Sequence, residues 1–227
     1  MVTTSALAGI AALLADPARA AMLQALMGGE ALTAGELARV AGVTAPTASA
    51  HLARLADGGL IAVHAQGRHR YHRVASDDVA RAIEGMMGLA AVVSPRAPWR
   101  GGTALREART CWDHLAGRLG VALYAALRPH LVPAPDGWSL SEEGAARLTA
   151  AGIDLDRAHR AAHFCRDCMD WSERRPHLGG GLARGIAETC FARGWVRRAQ
   201  GDGLVRRCVT VTPEGARALR ETLRVAL

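Results

Sequence analysis

The stretch Thr33–Val74 constrains the fold most strongly, because two short helical patterns follow each other there across a single glycine. The first predicted helix is Glu36–Ala41, and the second is Thr44–Leu55, which starts after Gly42. A threonine is a favoured N-cap, and Pro46 falls in the first turn, where a missing backbone donor is tolerated. Apolar residues recur at helical spacing along the second helix, so its opposite face is polar.

Two strand-like runs follow these helices directly. Leu60–His64 and His69–Val74 are joined by the short polar segment 65–68, which is the pattern of a β-hairpin. Several of the hairpin's side chains are basic. A helix, a tight turn, a helix with a polar face and a basic hairpin together predict a winged helix-turn-helix.

This fold assigns a function to polar residues of the second helix and of the hairpin tip. Side chains on the second helix would reach base edges and phosphates in a major groove, and the hairpin would contact the backbone. For His51, packing in the turn is the alternative, since it adjoins the apolar Leu52. The predicted DNA-binding residues are Thr44, Thr47, Ser49, His51, Arg54, Arg68, His69 and Arg70.

The charge of the chain agrees with a polyanionic partner. The net charge is +7, the pI is near 10.1, and no lysine occurs among the 28 basic residues other than histidine. Codon usage could explain arginine in place of lysine, but not the excess of positive charge. No apolar run reaches the ~18 residues needed to span a bilayer, and no secretory signal is recognisable, so we expect a cytoplasmic protein.

Amphipathic helices are predicted on both sides of this stretch. Thr4–Leu14 has an apolar stripe, a second helix starts at Pro17 after the capping Asp16, and Ser76–Val93 has a broad apolar face. A small winged unit cannot bury both the first and the last of these helices. We therefore expect the surplus apolar faces to form a homodimer interface.

The order of motifs resembles the ArsR/SmtB family of transcriptional regulators. The segments LADPAR, ELA, TASAHLARLADGGLI and GRHRY occur in that order, and the resemblance covers about residues 5–90. It implies a homodimer that binds operator DNA and releases it on meeting an effector. By position, the recognition helix would be Thr44–Leu55 and the wing tip Ala65–Arg70, while Thr4–Leu14 and Ser76–Val93 would pair the protomers.

Two departures from this family concern metal sensing. Members with a cysteine pair carry it near the first helix of the helix-turn-helix, where this chain has Thr33 and Gly35. Other members use Asp and His on the last helix, where this chain has Asp77 and Asp78 but no histidine. An effector would therefore be sensed elsewhere in the chain.

The C-terminal part contains an internal repeat. We predict a DNA-binding and dimerisation domain at 1–93, a Pro- and Gly-rich linker at 94–103, and an effector domain at 104–227. Both copies contain Cys-x-Asp, HLxGxL, a short strand and a helix that begins with Glu-Gly-Ala. The predicted fold class is mainly α with small β-hairpins (α+β), the C-terminal domain consisting of two winged-helix-like helix–strand–helix repeats.

All five cysteines lie in this C-terminal part. Cys111 and His114 are predicted one turn apart on a helix, and Cys165 and Cys168 likewise within a helix Leu155–Trp171. If the repeat is symmetric, Cys111 and Cys168 approach each other. The predicted ligands of zinc or another thiophilic ion are Cys111, His114, Cys165 and Cys168, with His163 as an additional candidate.

Alternatives to a metal site remain open at this point. A thiol pair could sense oxidants, or the cysteines could simply be buried, as Cys190 and Cys208 are expected to be. An effector pocket for an organic molecule could be lined by Trp112, Met169, Trp171 and Trp195.

The predicted function is that of an effector-responsive repressor that binds operator DNA as a homodimer and is not an enzyme. The alternatives are an enzyme or an interaction module that uses the winged helix only to dimerise. No GxGxxG after a strand, P-loop or GxSxG motif is present, and the glycine-rich run after His177 follows no predicted strand.

Overall fold

A computed structural model describes residues 3–67, 69–93, 102–201 and 203–227. The predicted wing residue Arg68 and most of the predicted linker lie outside these ranges. The chain forms two compact units: Met1–Ile83 with Gln200–Arg207, and Glu84–Ala199 with Cys208–Leu227. The predicted domain boundaries stay a prediction, and each unit is described by itself.

The first unit is a winged helix-turn-helix, as predicted. Its three-stranded antiparallel sheet has the order β1-β3-β2, with Ile61 opposite Val74 and Gln66 opposite His69. Its elements are helices α1 (Thr4–Leu14), α2 (Pro17–Leu26), α3 (Ala34–Ala41) and α4 (Ala45–Asp57), strands β1 (Leu32–Thr33), β2 (Ile61–Gln66) and β3 (His69–Val74), and the start of helix α5 (Asp77–Val93).

Local signals explain where α3 and α4 begin and end. Thr33 and Glu36 form a capping box, in which the Thr33 hydroxyl accepts from the Glu36 amide and the Glu36 carboxylate accepts from the Thr33 amide. Gly42, with φ of 65°, ends α3 in the left-handed conformation that glycine adopts without strain. Thr44 then caps α4. The turn between the two helices is therefore fixed by residues at its two ends.

The core of the first unit lies between the helices and the sheet. Leu37, Leu52 and Leu55 are almost completely buried, together with Met22 and Leu26 of α2. Burial of each such side chain contributes roughly 1.5–3 kcal/mol relative to exposure. The apolar stripe of α4 thus faces the core, and its polar face is left for solvent.

The segment Gln200–Arg207 belongs to the first unit although it comes late in the chain. Arg207 is buried, and its guanidinium donates a hydrogen bond of 2.8 Å to the carbonyl of Gln24. Arg206 forms an ion pair of 2.9 Å with Glu36 on α3. This segment therefore contacts the first helix of the helix-turn-helix.

Among the described residues, no single helix is both long and apolar enough to cross a membrane. Helices α1 and α2, bent by 85° where they meet, reach that length and composition only when taken together.

The second unit repeats one arrangement twice: a hairpin, a helix, a second hairpin and a second helix. The first copy runs from β4 to α8 and the second from β8 to α11. Its elements are helices α6 (Thr103–Glu107), α7 (Gly117–Leu127), α8 (Glu142–Ala150), α9 (Leu155–His159), α10 (Gly181–Ala192) and α11 (Pro213–Leu223), and strands β4 (Arg109–Cys111), β5 (His114–Ala116), β6 (Leu131–Ala134), β7 (Gly137–Leu140), β8 (Arg166–Met169), β9 (Pro176–Gly179), β10 (Val196–Arg198) and β11 (Val209–Val211).

The fold class, mainly α with small antiparallel hairpins, is confirmed, but two predicted helices are wrong. Cys111 and His114 lie on the paired strands β4 and β5, because Trp112 has φ of 54° and the chain turns back over two residues. The predicted helix Leu155–Trp171 ends at His159. Arg166–Met169, near the end of the predicted helix, instead form β8, which pairs with β9.

Candidate functional site

Helix α4 presents polar side chains to solvent on the face opposite its core stripe. Thr47, Ser49 and Arg54 are exposed, while the Thr44 side chain accepts a hydrogen bond from the Thr47 amide. Ser49 donates a hydrogen bond to the carbonyl of Ala45. Thr44 therefore positions the start of the helix, and the other three side chains are available to a ligand.

The remaining predicted DNA-binding residues of this unit differ in exposure. The His51 ring is half-buried, 3.4 Å from the Arg19 guanidinium and 3.8 Å from the Asp16 carboxylate, so it contacts the start of α2. His69 and Arg70 are exposed at the start of β3, in the wing. His51 thus packs against the start of α2, and His69 and Arg70 face solvent.

Two helices leave apolar side chains uncovered. Helix α1 has no buried residue, and its Leu7 and Ile10 are 67% and 38% exposed. Near the end of α5, Leu89 and Val92 are more than half exposed. These are the helices expected from the sequence to pair protomers.

A cluster of two cysteines and two histidines lies buried in the second unit. Cys111 pairs with His114 across the first hairpin, and Cys168 pairs with His177 across the hairpin at the equivalent place in the second copy. One ligand atom from each of these residues lies within 4.8 Å of the other three. We call Cys111, His114, Cys168 and His177 the Cys–His cluster.

The two imidazoles of the cluster face each other. Their Nε2 atoms are 3.1 Å apart, and both rings are almost completely buried. Each Nδ1 is turned towards a carboxylate: His114 Nδ1 lies 3.1 Å from Asp113, and His177 Nδ1 lies 3.6 Å from Asp170. Carboxylates in this position orient metal-binding histidines in many proteins.

The nearby carboxylates have arginine partners. Asp170 forms a fully buried ion pair of 2.8 Å with Arg109, which outweighs the effect of burial and lowers the pKa of Asp170 to about 2. Asp113 accepts a hydrogen bond of 2.5 Å from Arg184. Both carboxylates next to the imidazoles are therefore held ionised.

Glu84 of helix α5 also contacts the cluster. The Cys111 thiol donates a hydrogen bond of 3.5 Å to Glu84, and the Arg166 guanidinium lies 3.1 Å from the other carboxylate oxygen. Burial raises the pKa of Glu84 to about 8. A residue of α5 thus lies in direct contact with the Cys111 sulfur.

The two thiols of the cluster have shifted acidities. Hydrogen bonding from Cys168, and then from the two histidines, lowers the pKa of Cys111 well below its ordinary value. The same contact with Cys111 raises the pKa of Cys168. For His114, hydrogen bonds to Asp113 and Cys111 outweigh burial and raise the pKa to about 10. Cys111 is therefore the more acidic of the two thiols.

The composition of the cluster differs from the predicted ligand set. Cys111, His114 and Cys168 come together as predicted, and His177 completes the group. Cys165 lies instead in the apolar core, where burial raises its pKa to about 12, and the half-buried His163 is outside the group. Since His177 aligns with His114 in the HLxGxL repeat, the sequence contained a signal for it.

The alternative pocket of three tryptophans and Met169 does not form as predicted. Trp195 is packed in the main core, Arg109 lies 4.2 Å above the Trp171 ring, and Met169 approaches Gly88. A cavity of about 550 Å³ is present in this unit, but it is lined by other residues, among them Leu119 and Val209.

Comparisons with known proteins identify the relatives of this chain. A family model for a helix-turn-helix domain matches residues 14–64. The uncharacterized HTH-type transcriptional regulator YdfF of Bacillus subtilis is 34% identical over 226 residues, which cover 97% of this chain and 98% of the relative. The second unit is therefore shared with this relative as well as the first.

Solved structures match the N-terminal part. A homodimeric winged helix-turn-helix DNA-binding domain from Mycobacterium bovis is 27% identical and covers 42% of this chain and 88% of its own, with a TM-score of 0.38. The cadmium sensor CMTR from Mycobacterium tuberculosis is 30% identical, with coverages of 40% and 95% and a TM-score of 0.33.

The helix-turn-helix geometry and the match to YdfF along almost the whole length of both chains lead to one assignment. The chain belongs to the HTH-type transcriptional regulators, with a winged helix-turn-helix at its N-terminal end and a further C-terminal part.

Proposed function

We propose that this regulator is a homodimeric repressor that binds operator DNA through α4 and the wing and releases it when an effector binds in the second unit. The observation that carries the proposal is that each unit contains a different kind of candidate site. The first has an exposed polar recognition face, and the second has a buried Cys–His cluster that contacts helix α5 through Glu84.

The proposed DNA contacts follow from exposure and chemistry. Thr47, Ser49 and Arg54 would contact base edges and phosphates from the major groove. Arg70 and His69 in the wing would contact the phosphate backbone, with Arg68 beside them in the sequence. Arginine suits this task because its guanidinium matches phosphate oxygens in geometry and charge.

The homodimer is supported by the uncovered apolar residues of α1 and α5. A helix with no fully buried residue contributes little to the core of its own chain, so its exposed apolar side chains indicate a partner surface. The M. bovis domain is a homodimer, and a two-fold arrangement would place two recognition helices on two half-sites.

Chain connections offer two routes from the effector to the DNA. Helix α5 contains Glu84 and starts in the first unit, while the segment Gln200–Arg207 joins β10 to β11 and holds Glu36 of α3 through Arg206. When a ligand takes the Cys111 sulfur, the hydrogen bond to Glu84 is lost. A change at the cluster would therefore alter α5 first.

Sensing of an oxidant by the same thiols is the second candidate, favoured by the lowered pKa of Cys111. Burial argues against it, since Cys111 is 2% and Cys168 is 6% exposed, whereas redox-sensing cysteines are accessible to solvent. Catalysis is not part of the proposal, because all four residues of the cluster are buried and together form a ligand set.

Substitution of Arg70 by alanine is expected to weaken operator binding and its dependence on salt. Each lost phosphate contact lowers the slope of log K against log salt by about 0.9, hence by about 1.8 in a dimer. Fluorescence anisotropy on a duplex from the upstream region of the gene, at several salt concentrations, measures both quantities.

The matched control is Arg147→Ala, which removes the same charge from a half-buried position on α8, where Arg147 pairs with the exposed Glu143. It should leave the slope unchanged. Equal salt slopes for Arg70→Ala and the parent would refute the wing assignment, and an absence of DNA binding by the parent would refute the proposed function.

A further inference from the structure

We propose that the Cys–His cluster binds one zinc-class ion, through the thiolates of Cys111 and Cys168 and the Nε2 atoms of His114 and His177, in a closed tetrahedral site. This inference rests on the proposed function, for which it names the class of effector. Nothing in the winged helix-turn-helix itself offers such a ligand set among the described residues.

The distances in the cluster fit a single tetrahedral ion. Nitrogen ligands bind zinc at about 2.0 Å and sulfur ligands at about 2.3 Å, so two such nitrogens are ~3.3 Å apart and two such sulfurs are ~3.8 Å apart. The two Nε2 atoms are 3.1 Å apart, and all four ligand atoms lie within 4.8 Å of one another. Small side-chain adjustments would therefore suffice.

The orientation of the imidazoles is a second, independent observation. Two buried Nε2 atoms facing each other at 3.1 Å leave at most one proton to share between them. Nδ1 of His177 is buried without a hydrogen bond among the described residues, although it faces Asp170 at 3.6 Å. A cation would satisfy both Nε2 lone pairs at once, and each Nδ1–H would then point to its carboxylate.

The charges around the cluster favour a divalent ion. Asp113, Asp170 and Glu84 each have an arginine partner, namely Arg184, Arg109 and Arg166 respectively. The ionised carboxylates of Asp113 and Asp170 are therefore already balanced. Two thiolates and one divalent ion give a neutral centre, which avoids the cost of an unpaired buried charge.

The donor set also selects the kind of ion. Two sulfurs and two imidazoles suit zinc and other thiophilic ions, whereas calcium and magnesium prefer oxygen ligands. Four protein ligands leave no open position for a reacting water, in contrast to catalytic zinc sites. The site is therefore built to hold an ion and not to use it in chemistry.

Cobalt(II) titration of the reduced, metal-free full-length protein tests this inference. We expect one ion per chain, with the strong visible absorption of tetrahedral cobalt and a sulfur-to-cobalt charge-transfer band, both displaced by zinc. His177→Ala and Cys168→Ser should each weaken binding by more than about 100-fold, which exceeds the usual effect of losing an outer-shell partner.

Cys165→Ala is the matched control, since it removes a buried thiol three residues before Cys168 and should leave the cobalt spectrum unchanged. X-ray absorption of the zinc-loaded parent needs no variant and should show two sulfur and two nitrogen ligands. Any other sulfur count, weak octahedral cobalt bands, or an equal effect of Cys165→Ala would overturn the inference.

DNA binding by the metal-free protein in a chelator, measured alongside, separates the two proposals. If the chain binds operator DNA but no cobalt, the metal inference fails and the regulator stands. If cobalt binds at the four residues but the metal-free chain does not bind DNA, the proposed function fails and the metal site stands.

Discussion

Substitution of Asp170 by alanine is expected to lower the free energy of unfolding of the second unit by about 3 to 5 kcal/mol. The reason is that Arg109 would keep its charge in a place with no access to water. Both side chains of the pair are 0% exposed. Removing one partner of a buried pair costs far more than the intact pair contributes.

Asp170 also organises the backbone around it. Its carboxylate accepts hydrogen bonds from the amides of Gly117, Ser172 and Glu173 as well as from Arg109. These donors would lose their acceptor, and each buried unsatisfied group costs about 1–3 kcal/mol. The substitution therefore removes a support shared by the start of α7 and the loop before β9.

Urea unfolding followed by tryptophan fluorescence measures this effect, because all five tryptophans lie in Glu84–Ala199. Glu107→Ala is the control, since Glu107 pairs with Arg118 at an exposed position and should contribute at most about 1 kcal/mol. Similar losses for the two variants would contradict the role given to the buried pair.

The double substitution Leu7→Asp and Ile10→Asp is expected to produce a monomer that binds the operator roughly 100- to 10,000-fold more weakly than the parent. This range is the usual gain from joining two binding modules, here two recognition helices on two half-sites. The stability of the chain should change little, because both side chains are exposed in it. Sedimentation and anisotropy measure assembly and affinity.

Ser5→Asp with Ala8→Asp is the matched control. It adds the same charge to α1 on the opposite side of the helix from Leu7 and Ile10. The control should remain dimeric and retain its affinity. A dimer that persists in the Leu7 and Ile10 variant would show that α1 does not pair the protomers.

The winged helix-turn-helix was predictable because each of its boundaries has a local signal. Thr33 and Thr44 are caps, Gly42 supplies the left-handed turn, and the polar and apolar residues of α4 alternate with helical spacing. These signals act over a few residues. The predicted helices and hairpin strands consequently lie within two residues of the observed bounds, whereas the two-residue strand β1 was not predicted.

The second unit was harder because the same spacing fits two structures. Cys111 and His114, three positions apart, would be neighbours on a helix, and they are also neighbours across a two-residue turn. Their proximity was therefore predicted through the wrong element. The deciding feature, a positive φ at Trp112, has no sequence signal, since tryptophan seldom adopts it.

Two members of the site and its surroundings illustrate what the repeat could and could not provide. His177 could have been predicted as a ligand, because the repeat aligns it with His114 just as it aligns Cys168 with Cys111. Glu84 could not have been predicted as a neighbour of the site, because it lies outside the repeat and 27 residues before Cys111. Only the packing of α5 in the second unit brings its carboxylate to the thiol.

The affinity for operator DNA with and without zinc tests the central claim most directly. An allosteric coupling of ordinary size predicts that zinc at one equivalent weakens binding by about 5- to 150-fold in the parent. The Cys165→Ala control should respond equally, and a Cys111→Ser, Cys168→Ser variant should bind DNA without responding to zinc. Operator affinity that is identical with and without bound zinc in the parent would contradict the account.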